Sequence, residues 1–334
     1  MGKLFCIGEV LIDFIPCEKG VPLKDVLSFE RTPGGAPANV AATAAKFGQK
    51  SLMISKLGND AFGDFLVEKL VQSGVNTDYI LRTDEANTAL AFVSLKNNGD
   101  RDFSFYRNPS ADLLLEADEL DENIFNKGDY LHFCSVDLVE SPMKYAHQKA
   151  IEIVKSKQGI ISFDPNVRLP LWDDAQDCRE TILEFIPLSH IVKISDDELE
   201  FITGITDEKE ALRSLFQGDV KVIVYTQGAK GALVLTRDSE FDNRGFKVNV
   251  VDTTGAGDAF IGAFLSILLK NEVSKSNLKT FVEEHAHELL TFANACGALT
   301  TMKKGGISAL PTLQEIEAFL LDKKGHSSRP CVPF

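Results

Sequence analysis

Gly255, Ala256 and Gly257 stand directly before Asp258 in the stretch VDTTGAGDAFIGAFLSILL, and an apolar run follows. Residues with little or no side chain at a helix start leave the first helical N–H groups open to a ligand. Those donors and the helix dipole favour an anion. Asp258 falls in the first turn, where a carboxylate can take a proton from a hydroxyl held beside it. An anion site next to such a base suits phosphoryl transfer from a nucleotide to an alcohol. A tight turn followed by a helix-capping Asp accounts for the same residues without chemistry. The stretch has neither the lysine of a Walker loop nor the spacing G-x-G-x-x-G, so neither of those nucleotide motifs is present.

These residues need a scaffold. Apolar runs at 4–7, 10–15 and 52–57 read as strands, with the β-branched run 248–251 extended before the glycines. An Ala-rich helix is expected over 38–47, after the Gly34-Gly35 pair, and another over 60–73. Strands at 89–96 and 102–106 flank the turn sequence NNGD as a hairpin. From residue 130 the runs YLHFCSV, GIISFDP, HIVKIS, KVIVYTQG and GALVLT alternate with helical patterns at 142–157, 178–185, 196–203 and 208–215. Helices follow at 259–270, 278–300 and 312–321. Alternation of this kind predicts an α/β fold: a doubly wound, mostly parallel sheet covered on both faces. The alternating stretches near 10–32 and 89–106 do not fit a buried parallel strand and are expected to form a small antiparallel flap beside it. Ligands of such sheets bind beyond the carboxyl ends of the strands, where the glycine motifs fall.

Bulk properties narrow the partners. Of the 334 residues, 44% are hydrophobic and 25% charged, which suits one large domain with a substantial core. Lys and Arg number 35 against 49 Asp and Glu, a net charge of −14. That field argues against nucleic acid and against an anionic membrane surface. The opening MGKLFCIGEVLIDFIP carries Glu9 and Asp13 within its apolar run and Pro16 at its end, so it reads as strand rather than leader or membrane span. The six cysteines are scattered with no C-x-x-C pair, which points to reduced thiols and a cytoplasmic location.

Several separated motifs, in one order, resemble the ribokinase-like (PfkB-type) carbohydrate kinases: GEVLIDFIP at 8–16, TPGGAPANVA at 32–41, KLGNDAFGDFL at 56–66, KISDDELEFITG at 193–204, VIVYTQGAKGALV at 222–234 and VDTTGAGDAF at 251–260. The resemblance covers residues 3–322. GGAPANVA, TALAFVSL, FSFYRNPSADLLL, SFDPNVRLPLW and GGISALPT further resemble the fructokinase branch. It implies a Rossmann-like sheet with a β lid, here from about 12–32 and 89–110, in a single kinase domain over 1–322 with a flexible tail at 323–334. It also implies ATP-dependent phosphorylation of a sugar, with D-fructose foremost and 2-keto-3-deoxygluconate or another ketose as the alternative. A non-catalytic regulatory relative is the remaining reading, and the intact Asp258, GAG turn and Arg168 weigh against it.

Roles follow from the resemblance. Asp258 is the base toward the sugar hydroxyl and residues 255–257 form the anion hole. Arg168 holds the phosphates, with the forked, permanently charged donor such a task needs. Asp13, Gly34, Gly35 and Asn39 bind the sugar, and Arg107 reaches over it or ties down the closed lid. Ser195, Thr226, Gly228, Gly231 and Asn294 serve the nucleotide. Glu198 acts on Mg2+ indirectly, since this cation keeps most of its waters. Ser195 departs from the Asn that the family carries three residues before that Glu, which puts the role of position 195 in question. Asp252 and Thr254 resemble part of a monovalent-cation site, which would bring a K+ dependence. A homodimer joined through the lid is a family expectation. Trp172, the single tryptophan, is expected to pack rather than stack on a ligand.

Overall fold

The computed structural model describes residues 2–18, 20–95 and 101–324. The chain opens with β1 (Leu4–Ile7), leaves for β2 (Leu11–Pro16) and β3 (Phe29–Gly34), and returns through α1 (Ala36–Lys46), β4 (Ser51–Gly58), α2 (Ala61–Gln72) and β5 (Asn76–Thr83). A second excursion forms β6 (Leu90–Leu95) and β7 (Arg101–Tyr106). Alternation then begins with β8 (Tyr130–Cys134), α3 (Pro142–Ser156), β9 (Ile160–Asp164), α4 (Ala175–Phe185), β10 (Ile191–Ser195), α5 (Asp196–Thr203), α6 (Glu208–Ser214) and β11 (Val222–Thr226). The hairpin strands β12 (Gly231–Leu235) and β13 (Glu240–Arg244) precede α7 (Ala256–Lys270), α8 (Leu278–Thr300) and α9 (Leu313–Lys324).

The main sheet has nine strands in the order β13-β12-β11-β10-β9-β8-β1-β4-β5. It is parallel from β5 to β11, while β12 and β13 pair antiparallel at one edge. Parallel strands are covered on both faces, so they need apolar residues throughout. LFCI satisfies this, and YLHFC and IISFD do so apart from His132, Ser162 and Asp164; all three strands are buried at every position. One core lies under α1, α2, α7, α8 and α9, with Val40, Leu66, Phe264, Leu289 and Ile316. The other lies under α3 to α6, with Ala150, Ile182, Leu199 and Leu212. Trp172 packs against this second core, as expected.

The two excursions form a four-stranded sheet, β3-β2-β6-β7. This is the lid, and it departs from the expected antiparallel flap in one respect: β2 and β6 pair in parallel. They come from different excursions, each rising from the main sheet in the same direction, so the seam between them has to be parallel. The β6–β7 pairing matches the hairpin expected around NNGD, whose turn lies outside the described residues. Residues 325–334 of the expected tail also lie outside them.

Three further differences have physical causes. The run 248–251 is not a strand, and Val250 and Val251 are 60% and 49% exposed. The Val251 and Asp252 N–H groups donate to the Thr301 carbonyl at the end of α8, at 2.8 and 3.1 Å, so the run is held by a helix end and not by a strand. β5 and β13 are strands that the hydrophobic pattern does not announce. NTDYILRT and EFDNR are edge strands, and charges suit an edge because they discourage further pairing. Among the described residues the five cysteines, Cys6, Cys17, Cys134, Cys178 and Cys296, are all unpaired.

Candidate active site

The glycines of 255–257 mark the start of α7. Gly255 is its N-cap, with φ of 74°, a left-handed conformation that glycine adopts without strain. No side chain caps this end. α7 is buried at every position from Asp258 to Leu269, so it is fixed on all sides. Asp258 sits in its first turn at 9% exposure.

α1 lies close against α7 because the residues at the crossing are small. A Cβ on Gly262 would come within 2.7 Å of the Thr43 Cβ. This approach lets the Asn39 amide donate to Asp258 Oδ2 at 2.8 Å. The Asn39 Oδ1 is buried without a protein donor. Burial raises the pKa of Asp258, while the Asn39 hydrogen bond and the charges of Lys193 and Arg168 oppose the rise. A carboxylate poised above its ordinary range suits a general base working near neutral pH.

Lys193 and Asp164 complete this corner, and sequence reasoning missed both. Lys193 is 6% exposed, and its ammonium lies 2.9 Å from Asp164 Oδ2. A Cβ on Gly257 would lie 3.2 Å from the same ammonium. Burial works against the charge of Lys193, but Asp164, Glu198 and Asp258 outweigh it and raise its pKa, so it stays protonated. The available signal was a lysine inside the apolar strand IVKIS, because a buried lysine requires a partner.

Glu198 is held by three donors. Its Oε1 accepts from the Val167 N–H at 2.6 Å, and its Oε2 from the Ser195 N–H and hydroxyl at 3.0 and 2.7 Å. These bonds, with Lys193, keep its pKa low despite burial. Ser195 and Glu198 therefore form a reciprocal cap on α5, and the Ser195 hydroxyl is already committed. Glu198 also ties α5 to the loop after β9, next to the half-buried Arg168, whose guanidinium donates to the Val167 carbonyl at 2.9 Å.

Among the sugar candidates, Gly34 ends β3 and Gly35 is the N-cap of α1. A Cβ on Gly34 would lie 2.1 Å from Asp13 Oδ2, so glycine makes room for the lid carboxylate. Gly35 has φ of 109°, and a Cβ there would meet the Glu9 carbonyl at 2.4 Å. Glu9, also missed, is buried and accepts from the Ala36 N–H at 2.8 Å, supplying the cap that Gly35 cannot. Arg107 does not reach out over a ligand. It is 7% exposed, paired with Asp112 and Asp137, and donates to the Val136 carbonyl at 3.3 Å. It fastens the end of β7 to the carboxyl end of β8.

The nucleotide candidates form a second group along β11 to β13. The Thr226 hydroxyl is 3.5 Å from the Ile194 carbonyl. Gly228 has φ of 54° and nothing within 4 Å of an added Cβ, so its surroundings are open. Gly231 has a different cause: a Cβ there would meet the Asn243 carbonyl at 2.1 Å, so the β12–β13 hairpin itself requires glycine. The Asn294 amide donates to the Asn243 carbonyl and side-chain oxygen, both at 3.2 Å. Asp252 accepts from the Thr254 N–H and hydroxyl at 3.0 and 2.8 Å and from the Gly305 N–H at 2.9 Å, which joins two loops. Among the described residues no group of three or more His, Cys, Asp or Glu could hold a metal ion. No helix among them is long and apolar enough to cross a membrane.

Comparison with known proteins identifies the family and the fold. The chain is 45% identical over 318 residues to "Probable fructokinase-6, chloroplastic" of Arabidopsis thaliana, covering 95% of this chain and 82% of that one. The crystal structure of fructokinase with bound ATP from Xylella fastidiosa superimposes with a TM-score of 0.88 at 32% identity, covering 97% and 99% of the two chains. Fructokinase from Vibrio cholerae O395, in its fructose, ADP and calcium ion bound form, gives 0.86 at 34%, covering 96% and 99%. The family described as pfkB family carbohydrate kinase matches residues 1–313, and the chain belongs to that family, whose members are sugar phosphotransferases.

Proposed function

We propose that this protein is an ATP-dependent fructokinase that converts D-fructose to fructose 6-phosphate. The observation that carries the reading is the buried Asp258–Asn39 pair at the uncapped start of α7. Asp258 accepts the proton of the sugar hydroxyl as that oxygen attacks the terminal phosphorus. The α7 N–H groups receive the negative charge of the moving phosphoryl group. Asn39 orients the base with its amide N–H and offers its unpartnered Oδ1 to a sugar hydroxyl. Gly34, Gly35 and Asp13 shape the rest of the sugar pocket, and the lid excludes water.

The residues fit a magnesium-bound triphosphate rather than a resident metal. Among the described residues no group of three or more His, Cys, Asp or Glu could hold a metal ion, so a Mg2+ ion would be held mainly by the phosphates and water. Glu198 would act on it through water, since three protein donors already reach its carboxylate. Bound Mg2+ neutralises charge on the phosphates. Arg168 holds those oxygens, and the open turn at Thr226 and Gly228 takes the nucleotide with Asn294 near its base. Asp252 and Thr254 form the K+ subsite. Copies pair through the lid, where Leu27 and Tyr106 are 91% and 63% exposed, and the enzyme works in the cytoplasm.

Arg107 favours a neutral sugar over a sugar acid. Its charge is already met by Asp112 and Asp137, so no free cation remains there for a substrate carboxylate. ADP release from MgATP tests the reading with D-fructose, 2-keto-3-deoxygluconate, ribose and no sugar, with Asp258→Asn run alongside. Turnover with fructose that the variant lacks is the expected result. Preference for the sugar acid would overturn the assigned substrate, and a fully active Asp258→Asn would overturn the mechanism.

A further inference from the structure

We infer that Lys193 is a catalytic residue, whose ammonium hydrogen-bonds a non-bridging oxygen of the transferring phosphoryl group opposite the α7 N–H donors. The inference rests on the kinase reading above and concerns the residue that opens the stretch KISDDELEFITG, to which the resemblance gave no role.

The geometry is unusual for a lysine. Its ammonium is buried at the carboxyl end of the sheet and faces the first turn of α7, 3.2 Å from the position of a Cβ on Gly257. That turn is the positive end of a helix dipole. A cation aimed at the positive end of a helix is repelled at rest. The arrangement becomes favourable when an anion lies between them, and a phosphoryl group in flight carries its charge on oxygens that can bond both sides. Gly257 leaves the gap open, since any side chain there would press on the ammonium. Asp164 contacts the ammonium with both oxygens, at 2.9 and 3.1 Å, and aims it.

Position 195 strengthens the case. The Ser195 hydroxyl donates to Glu198 and the residue serves as the α5 cap, so it has no hydroxyl proton left for a phosphate. Lys193 lies two residues earlier on the same strand and therefore on the same face. It supplies from β10 the phosphate-directed donor that Ser195 cannot. The reaction balances without proton transfer from the lysine. The sugar oxygen bonds to phosphorus, its proton passes to Asp258, and the bond from phosphorus to the ADP oxygen breaks. Lys193 stays protonated throughout and strengthens its hydrogen bond as charge builds.

The test compares wild type, Lys193→Met and the double variant Lys193→Met/Asp164→Leu at saturating MgATP and fructose, with thermal unfolding of each. Lys193→Met is expected to lower kcat by about 100-fold or more, the usual scale for losing one transition-state donor, with fructose KM little changed. The double variant removes the orphaned carboxylate, so it should recover thermal stability while kcat stays low. Lys193→Cys treated with 2-bromoethylamine rebuilds a lysine-like ammonium and should regain about tenfold or more of the lost kcat. If kcat recovers together with stability in the double variant, or Lys193→Met keeps kcat within about fivefold, Lys193 merely pairs with Asp164 and the assignment fails alone. A wild type inert with MgATP and every sugar refutes the kinase reading, and this assignment with it.

Discussion

Arg107→Met tests how the lid is fastened. In the folded protein the Arg107 side chain is 4% exposed, and those of Asp112 and Asp137 are 1% each. Removing the guanidinium leaves two buried carboxylates facing one another, with the buried Glu9 close enough to act on Asp137's partner. Losing one member of a buried ion pair costs about 3–5 kcal/mol. A native domain has only about 5–15 kcal/mol in total, so most of its stability is at stake. The pH dependence follows from the same cluster. Burial already raises the pKa of Asp137 to about 7, against the pull of Arg107. A carboxylate raised in the folded state contributes stability below its unfolded pKa and loses it as pH rises through the folded value. Without Arg107 the folded pKa of Asp137 rises further. The penalty of Arg107→Met should therefore be large at pH 8 and much smaller at pH 5.5, where Asp137 takes up a proton. Urea unfolding of wild type and variant at both pH values measures this, with Arg107→Lys as a control that keeps charge but loses the fork. A cost below about 1 kcal/mol at pH 8, or an equal cost at both pH values, would refute the view of Arg107 as a buried, charge-compensating tie.

Asp258→Asn should abolish sugar-dependent turnover and at the same time raise the melting temperature at pH 7.5. Its carboxylate is held above its ordinary pKa by burial and so weakens the fold at that pH. Asn39→Ala removes a hydrogen bond that favours the charged base, so the acid limb of the pH profile of kcat/KM should move to higher pH; an unmoved limb would dissociate Asn39 from Asp258. Gly35→Ala should cost more than about 2 kcal/mol in urea unfolding, because its φ is 109° and its Cβ would strike the Glu9 carbonyl. Gly228→Ala meets no protein atom, so it should cost only about 1 kcal/mol of stability; a raised KM for ATP would place the nucleotide against it.

The sequence carried the scaffold wherever burial imposed a simple pattern. Parallel strands between two helix layers must be apolar on both faces, so runs such as YLHFC and IISFD were legible. Edge strands obey no such rule, and EFDNR, with alternating exposure, went unread. Val248 to Val251 misled for the complementary reason, since β-branched residues make a strand only where a neighbour offers a ladder. In the site, Asp258 was legible through its small-residue surroundings and Asn39 through the family resemblance. Their pairing was not, because they are 219 residues apart and meet only through the α1–α7 crossing. Lys193, Asp164 and Glu9 are ionisable residues in or just beyond apolar strands, a local anomaly whose meaning depends on partners distant in sequence. Arg107 was identified as a lid residue, but its three surrounding carboxylates could only be seen in the fold.

The burial of α7 from Asp258 to Leu269 has a consequence for how such a protein can change. The proposed base sits on an element buried along its length, whereas the four-stranded sheet proposed to face the sugar is made of two insertions that leave the scaffold and rejoin it. Replacement of residues in those insertions leaves the phosphoryl-transfer machinery in place. New acceptor alcohols are therefore most accessible to laboratory evolution through libraries confined to the lid strands, while the same mutational load on α7 would be spent on misfolded protein.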